Sequence, residues 1–189
     1  MRVISGAARG TRLVELGDAD IRPTLDRVKE SFFNLVGQGL EGMAFLDLFA
    51  GTGSIGIEAL SRGAEKVIFV EKNPAAQSLI TRNLEKCRMH SADPTTRWQL
   101  MQQDAVQVLS KLKEKGDRFD LVYVDPPFAD GLYEPSLTAL SNSGILKKDA
   151  WVIVEHFHKT QLQETYGKLI FFKDRRVGDS CLSFFELKQ

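Results

Sequence analysis

The segment that decides the fold is Phe45-Leu46-Asp47-Leu48-Phe49-Ala50-Gly51-Thr52-Gly53-Ser54-Ile55-Gly56. It runs from an apolar, strand-like stretch through a glycine-rich turn into the start of a helix. Glycines lack a Cβ atom and let the backbone approach a ligand closely, and the free N–H groups at a helix start favour polar or anionic groups. The segment therefore predicts the strand–turn–helix unit with which α/β folds bind nucleotide-like ligands.

Apolar stretches with β propensity alternate with helical patterns along the middle of the chain. The stretches cover residues 44–49, 66–71, 97–102, 119–125 and 150–156. Their nearly continuous hydrophobicity is typical of strands covered on both faces, so the alternation predicts a mostly parallel, Rossmann-like α/β sheet. Near the end, residues 168–174 and 181–187 are joined across Gly178 and predict an antiparallel pair.

The N-terminal segment has a different pattern. Residues 2–15 predict a short β-hairpin that turns near residues 6–10, and a helix follows from about Thr24. The apolar side chains on one face of that helix are Val28, Phe32, Leu35 and Val36. We expect one domain over residues 1–189, in which an N-terminal extension (residues 1–36) precedes a catalytic core (residues 44–189).

Composition narrows the class of protein. The chain has 189 residues, of which 43% are hydrophobic, and 25 basic residues balance 25 acidic ones, as in ordinary soluble globular proteins. This balance gives no sign of a nucleic-acid partner, although Arg2, Arg9 and Arg12 form a local basic excess. Cys87 and Cys181 lack the paired spacing of a zinc site or a disulfide framework. We therefore expect no metal site. No apolar run is long enough to span a bilayer and no signal peptide is recognisable, so we also expect no membrane contact and a cytoplasmic location.

Two ligands compete for the glycine-rich turn. Gly51, Gly53 and Gly56 match the dinucleotide fingerprint, and Glu71, at the end of the next apolar stretch, matches its ribose-binding acid. Asp47, however, lies near the end of the first strand, where a carboxylate would repel a pyrophosphate and attract a cation. We therefore favour the aminoacyl part of S-adenosylmethionine over NAD; a tight turn without a ligand is the third interpretation.

Glu71 and Asp104 each have a functional and a structural interpretation. Glu71 either binds the ribose hydroxyls of the cofactor or is a solvated residue at a strand end. Asp104 either accepts a hydrogen bond from the adenine amino group or caps the following helix, and both roles are compatible at this edge of the sheet. We predict both residues as cofactor-binding, together with Asp47, Gly51 and Gly53.

The sequence Asp125-Pro126-Pro127-Phe128 follows an apolar stretch and indicates the chemistry. Two prolines stiffen the backbone and remove two N–H donors, which leaves the Asp125 carboxylate and nearby carbonyls as acceptors beside an aromatic ring. An exocyclic amine of a nucleobase is a poor nucleophile, because its lone pair is delocalised into the ring. Acceptors that hold its N–H groups stabilise the positive charge that develops during methyl transfer, and Phe128 can stack on the base. The alternative is a proline-rich turn that only ends a strand, but the glycine-rich turn upstream favours a catalytic role for all four residues.

These motifs and the N-terminal sequence together resemble the RsmD-type bacterial methyltransferases. The resemblance covers essentially the whole chain and includes Val3-Ile4-Ser5-Gly6, Arg9-Gly10, Arg12-Leu13, Arg22-Pro23-Thr24, Arg27-Val28-Lys29-Glu30-Ser31, Phe33-Asn34, Leu46-Asp47-Leu48-Phe49-Ala50-Gly51-Thr52-Gly53, Glu58-Ala59-Leu60-Ser61-Arg62-Gly63 and the Asn/Asp-Pro-Pro-Tyr/Phe variant at residues 125–128. The family usually has Tyr-Gly-x-Thr near the end, where this chain has Val177-Gly178-Asp179-Ser180. Any contact that the family tyrosine makes is therefore in question here.

The resemblance implies an activity, a fold and a partner. The activity is methylation of guanine N2 in 16S ribosomal RNA, within the small subunit or an assembly intermediate, with S-adenosylmethionine as cofactor and S-adenosylhomocysteine as product. The fold is that of a class I S-adenosylmethionine-dependent methyltransferase, with a mostly parallel seven-stranded sheet, an antiparallel last strand and an N-terminal hairpin and helix. The resemblance also implies that Arg22 and Thr24 contribute to the cofactor site. We expect a monomer.

Four arginines near the two ends of the chain are candidate RNA-phosphate ligands, or else solvated surface residues: Arg9, Arg12, Arg175 and Arg176. Three other functions stay open. An adenine-N6 methyltransferase of DNA or RNA could use the same tetrapeptide, although the chain has no separate sequence-reading domain. A dinucleotide-binding protein is supported by the literal glycine pattern. A non-catalytic ribosome-assembly factor would not need an intact Asp125 motif.

Overall fold

The computed structural model describes residues 1–15, 26–90, 97–127 and 131–188. Three predicted site residues, Arg22, Thr24 and Phe128, lie outside these ranges. The helices of the described part are α1 (Asp26–Val36), α2 (Ser54–Ser61), α3 (Pro74–Lys86), α4 (Val108–Glu114) and α5 (Tyr133–Ser143). Its strands are β1 (Ala44–Asp47), β2 (Lys66–Val70), β3 (Arg97–Met101), β4 (Phe119–Val124), β5 (Leu146–Phe157), β6 (Thr165–Tyr166), β7 (Leu169–Val177) and β8 (Ser180–Leu187).

The described strands form one sheet in the order β3-β2-β1-β4-β5-β8-β7-β6. Strands β1 to β5 are parallel to one another, and β8 pairs antiparallel with both β5 and β7. The predicted mostly parallel sheet with an antiparallel end is therefore confirmed. The predicted count of seven strands is wrong by one, because β6 adds a short antiparallel partner to the start of β7. Two residues are too few to give a periodic signal in the sequence.

Helices cover both faces of the sheet. α1, α2 and α3 pack on one face, which we call the α1 face, and α4 and α5 pack on the other. The predicted apolar side of α1 is confirmed at Val28 and Phe32, which are fully buried. Phe33 is also fully buried, whereas the predicted Leu35 and Val36 are only partly buried against the core. Within the described residues, no helix is both long enough and apolar enough to cross a membrane.

The N-terminal segment folds as a hairpin, as predicted. Arg2 and Arg12 form an antiparallel bridge across it. The backbone N–H of Val3 donates to the carbonyl of Thr11 (3.0 Å), and the N–H of Gly10 donates to the carbonyl of Val3 (2.8 Å). The backbone bonds therefore close a tight loop whose tip carries exposed residues.

A buried group of charges fastens this hairpin to α1 and α2. Glu58 is fully buried and accepts hydrogen bonds from the backbone N–H groups of Ile4 (2.8 Å) and Ser5 (2.9 Å). Its carboxylate also pairs with Arg62 Nε (2.9 Å) and with Lys29 Nζ (3.4 Å). The buried Glu58 carboxylate therefore binds two backbone N–H groups and two cationic side chains.

Lys29 connects the same group to the start of α2. Its Nζ atom donates to the carbonyl oxygen of Arg2 (2.6 Å) and to Ser54 Oγ (3.2 Å). Burial lowers the pKa of Lys29, and the nearby charge of Glu58 opposes this effect. Because Ser54 is the first residue of α2, the hairpin, α1 and the end of the glycine-rich turn share one buried lysine.

We expect Gly6→Ala to loosen the hairpin from α2. A Cβ atom at Gly6 would overlap the carbonyl oxygen of Ser61, and the residue has a φ of 79°. Gly10→Ala is a matched control, because Gly10 has a φ of 86° but nothing within 4 Å of the added atom. Left-handed strain alone costs about 1–2 kcal/mol, so urea denaturation should show a loss of that size at Gly10 and at least about twice as much at Gly6. Equal losses would contradict the close approach.

Candidate active site at the carboxyl edge of the sheet

Acidic residues collect at one edge of the sheet. Asp47 ends β1, Glu71 follows β2, and Asp104 and Asp125 follow β3 and β4. Glu155 lies near the end of β5. This is the edge at which open α/β sheets bind their ligands, and the structure brings the predicted Asp47, Glu71, Asp104 and Asp125 together there.

Strand register places three of these acids on the α1 face. Asp47 pairs with Tyr123, and Tyr123 in turn pairs with Ile153. Side chains alternate between the two faces of a strand. Asp125 and Glu155 therefore lie on the same face as Asp47, one pleat further along.

Asp47 faces inward beneath the glycine-rich turn. It is only 2% exposed, and its Oδ2 atom accepts a hydrogen bond from the backbone N–H of Gly56 (3.0 Å). Burial raises the pKa of Asp47 to about 7, and the negative charge of Glu71 contributes to the rise. A Cβ atom at Gly56 would overlap the Phe69 ring, so this position accepts only glycine without a shift.

Glu71 organises the glycine-rich turn. Its Oε2 atom accepts a hydrogen bond from the N–H of Gly51 (2.8 Å), and its Oε1 atom accepts one from the N–H of Asn73 (2.7 Å). Gly51 and Gly53 have positive φ values of 53° and 77°. Glu71 therefore holds the turn in place and is not merely a solvated strand end; its contact with a ribose stays a prediction.

Asp104 is a capping residue in this structure. Its Oδ1 atom accepts hydrogen bonds from the backbone N–H groups of Val106 (2.9 Å) and Gln107 (3.2 Å), just before α4. The preceding residue, Gln103, was not predicted from the sequence. Its Oε1 atom is buried and lacks a hydrogen-bond partner among the described residues, which makes it a free acceptor at the same edge.

Asp125 begins the predicted catalytic motif and is partly buried directly beyond β4. Burial raises its pKa well above the usual range, and the negative charges of Glu155 and Asp47 raise it further. Pro126 is buried and Pro127 is exposed. The motif therefore presents a carboxyl group in a site of reduced polarity with a rigid backbone behind it.

Glu155 is a site residue that the sequence analysis missed. It is 5% exposed and accepts hydrogen bonds from the Tyr123 hydroxyl (2.6 Å) and the Ser180 hydroxyl (3.0 Å). Burial raises its pKa, and the two hydroxyl donors oppose that rise. The signal that could have found it is a carboxylate two residues after Ile153, directly following the apolar run Ala150–Val154 of β5.

Tyr133 is a second missed residue. It opens α5 and is 8% exposed, and its hydroxyl has no hydrogen-bond partner among the described residues. Burial raises its pKa, and the charges of Asp125 and Glu155 contribute, so the hydroxyl stays protonated. A buried donor left unpaired costs free energy, which marks this hydroxyl as available to a ligand.

The four predicted RNA-contact arginines are all exposed. Arg9 and Arg12 lie on the hairpin, and Arg175 and Arg176 are consecutive residues of β7. Arg176 Nε donates to the carbonyl oxygen of Gly178 (2.9 Å), which fixes that side chain beside the β7–β8 turn. All four side chains are therefore accessible from solvent.

We expect Asp47→Asn to stabilise the protein at pH 8 and to have little effect at pH 4. The pKa of Asp47 rises from 3.8 to about 7 on folding. As pH rises between these values, the unfolded chain loses the proton while the folded protein keeps it, so the stability of the wild type falls. Asparagine accepts the same N–H of Gly56 without a charge. We expect a gain of about 2–4 kcal/mol in urea denaturation at pH 8.

Asp149→Asn, at an exposed position of β5, is the control for this measurement. It should change the free energy of unfolding little at either pH. A gain for Asp47→Asn of the same size at pH 4 and pH 8 would show that charge is not the cause.

Comparison with known proteins identifies the family. Residues 1–186 match the model of the family described as "Conserved hypothetical protein 95". The chain belongs to this family. The match includes the hairpin, the glycine-rich turn and the Asp125 motif in one alignment, so the family assignment covers every part of the candidate site.

Similar proteins and solved structures agree with this assignment. A Bacillus subtilis relative, "Putative rRNA methyltransferase YlbH", is 35% identical over 178 residues, which are 94% of each chain. The "Ribosomal RNA small subunit methyltransferase D" of Haemophilus influenzae is 37% identical over 157 residues, or 82% of this chain and 78% of the relative. These relatives confirm the resemblance to RsmD-type methyltransferases. A solved Escherichia coli structure, "Putative methyltransferase yhhF", superimposes with a TM-score of 0.82 at 26% identity over 100% of this chain and 98% of that one. The predicted class I methyltransferase fold is confirmed.

Proposed function

We propose that this protein transfers a methyl group from S-adenosylmethionine to the exocyclic N2 amine of a guanine in 16S ribosomal RNA. The observation that carries the proposal is the convergence of Asp125-Pro126-Pro127 and the glycine-rich turn at one edge of a methyltransferase fold. The names of the relatives support RNA of the small subunit as the substrate. The RsmD-type resemblance supports guanine N2 as the acceptor atom.

The charges at this edge suit a cationic cofactor. Asp47, Asp125 and Glu155 are three carboxyl groups on one face, and two of them are almost fully buried. A sulfonium or ammonium group would offset their mutual repulsion, whereas the pyrophosphate of NAD would add to it. The unpaired Gln103 Oε1 atom offers an acceptor of the kind that an adenine amino group requires. These carboxyl groups and the Gln103 acceptor therefore fit S-adenosylmethionine better than NAD.

We assign the cofactor to the predicted set of residues, of which Arg22 and Thr24 lie outside the described ranges: Asp47, Gly51, Gly53, Glu71, Asp104, Arg22 and Thr24. When bound, S-adenosylmethionine supplies an electrophilic methyl carbon attached to a positively charged sulfur. Across residues 1–15, 26–90, 97–127 and 131–188, no three metal-ligating side chains cluster closely enough to hold an ion. The proposed transfer needs none.

The Asp125 motif handles the target base in this proposal. The Asp125 carboxyl group and the carbonyls beside Pro126 and Pro127 accept the N–H bonds of the amine and favour a tetrahedral nitrogen. The carbon–sulfur bond breaks as the carbon–nitrogen bond forms, so positive charge moves onto nitrogen, where these acceptors stabilise it. Phe128, outside the described residues, would stack on the base, a contact worth about 1–3 kcal/mol.

Exposed arginines on the hairpin supply the proposed RNA contact. We expect the Arg9→Ala/Arg12→Ala double variant to bind small-subunit RNA more weakly and to bind the cofactor normally. Each lost phosphate contact lowers the salt dependence of binding, so the slope of log K against log salt should fall by about 2. Arg82→Ala/Lys86→Ala, on the exposed side of α3, is the control. An unchanged slope in the hairpin variant would exclude these contacts.

The test of the proposed function is mass spectrometry of nucleosides from small ribosomal subunits. The subunits come from a strain that lacks the enzyme, and they are incubated with the protein and S-adenosylmethionine. We expect N2-methylguanosine to appear. Methyladenosine instead would favour the adenine-N6 alternative, and no methylated nucleoside in subunits or in free RNA would refute the proposal.

A further inference from the structure

Asp125 directly follows β4, and Glu155 lies on the adjacent strand β5. The printed register of β4 and β5 pairs Tyr123 with Ile153 and Val124 with Val154, and the next step in that register brings Asp125 beside Glu155. Neighbouring strands lie about 4.8 Å apart. Side chains alternate between the faces of a strand, so both lie on the α1 face with Tyr123, and the two carboxyl groups are lateral neighbours at the carboxyl edge.

Glu155 is held in place from two sides. Tyr123, on β4, donates its hydroxyl to Oε2 at 2.6 Å, and Ser180, at the start of β8, donates its hydroxyl to Oε1 at 3.0 Å. Ser180 occupies the position at which the resembled family usually has threonine, so this chain keeps a hydroxyl there although it has Val177 in place of tyrosine. The hydroxyl that binds Glu155 is therefore the retained part of that motif.

Among the described groups around the pair, only Asp47 can add a negative charge. Asp47 faces it from β1, Tyr123 from β4, Ser180 from β8 and Tyr133 from α5. Burial and nearby acids raise the pKa values of both tyrosines, which therefore stay neutral. The charges that act on Asp125 among the described residues are those of Glu155 and Asp47. Two adjacent carboxylates with little solvent do not both ionise readily, and the pKa values of Asp125 and Glu155 are both raised.

We propose that Asp125 and Glu155 share one proton before substrate binds, and that Glu155 is a positioning residue that sets the charge state of Asp125. In this state the pair carries one negative charge, so it still offers a carboxylate oxygen to the amine. After the methyl group has moved, the methylated nitrogen carries one proton too many. That proton passes to the pair, which becomes neutral and later releases one proton to water. The catalytic part of this inference rests on the proposed function, but the shared proton does not.

Infrared spectroscopy of the unliganded protein tests the shared proton directly. The C=O stretching band of a protonated carboxyl group is followed against pH in an Asp47→Asn background, because Asp47 also retains a proton. We expect a band that persists at pH 7 and disappears at a pH at least one unit lower in Glu155→Gln, where the neutral amide no longer repels charge on Asp125. A missing band at pH 7, or the same titration in both proteins, would overturn the proposal.

Ser180→Ala provides a second variant with little risk to folding, because Ser180 is only partly buried. Loss of its hydroxyl favours the proton on Glu155 and should move the ionisation of Asp125 in the same direction by a smaller amount. In activity assays, the acidic limb of the kcat/KM profile should move to lower pH in both variants, and an unmoved limb would refute the positioning role. If the carboxyl band titrates as expected but no RNA is methylated, the shared proton is supported and the proposed substrate is refuted.

Discussion

Replacing Asp125 with alanine is expected to abolish methyl transfer and to leave cofactor binding largely intact. The carboxyl group is the charged acceptor of the Asp125-Pro126-Pro127 motif, and removal of one preorganised electrostatic partner typically lowers kcat about 10²–10³-fold. We expect a loss at the upper end of this range, because the acceptors that remain in the motif are uncharged carbonyl groups. Initial rates on undermethylated small subunits measure the loss, and calorimetric titration with S-adenosylhomocysteine measures cofactor affinity.

Asp125→Asn is the matched variant for this prediction. Asparagine keeps one acceptor oxygen and occurs in the Asn/Asp-Pro-Pro-Tyr/Phe motif that this chain resembles, so its rate should lie between those of the wild type and Asp125→Ala. Both substitutions remove an acid from a group that already contains Asp47 and Glu155, so neither should lower the free energy of unfolding. A wild-type rate in Asp125→Ala would remove Asp125 from the mechanism.

Replacing Glu58 with glutamine is expected to cause the largest loss of stability. The buried carboxylate is the counter-charge for Lys29 and Arg62 and the acceptor for the N–H groups of Ile4 and Ser5. Removing one partner of a buried ion pair leaves the other charge uncompensated and costs about 3–5 kcal/mol. Urea denaturation measures this loss. Limited proteolysis should also show faster cleavage within residues 1–15.

Glu85→Gln is the control, because Glu85 is an exposed glutamate on α3. Its effect on the free energy of unfolding should be below about 0.5 kcal/mol. A loss at Glu58 as small as that at Glu85 would show that the buried charges do not stabilise the fold.

Much of the fold could be predicted from local signals in the sequence. Asn73 directly precedes Pro74, a pair of residues that favours the start of a helix, and it accepts a hydrogen bond from the N–H of Ala75 at 2.9 Å. The glycine-rich turn and the Asp125 motif each follow an apolar strand, so parallel pairing alone brings them to one edge. These features depend on residues that are close in the chain, and periodicity and capping patterns report on such residues.

The contacts that the sequence did not predict join distant residues. Ser180 and Glu155 are 25 residues apart, and Ile4 and Glu58 are 54 apart. Their meeting depends on strand register and on the docking of the hairpin, and neither follows from the local pattern. Asp104 shows the converse case, because its role as a helix cap joins residues two and three apart in the chain and could be predicted from the local pattern.

The outer edge of β7 affects whether copies of the protein associate at high concentration. Strand β6 pairs only with Leu169 and Ile170, so among the described residues the rest of β7 presents its outer backbone groups without a strand partner. Such an edge can recruit a strand from another molecule, and charged side chains along it oppose this aggregation. The open part carries four consecutive charged residues, Lys173, Asp174, Arg175 and Arg176. Arg175 and Arg176 therefore help to keep copies of the protein apart, whether or not either contacts RNA.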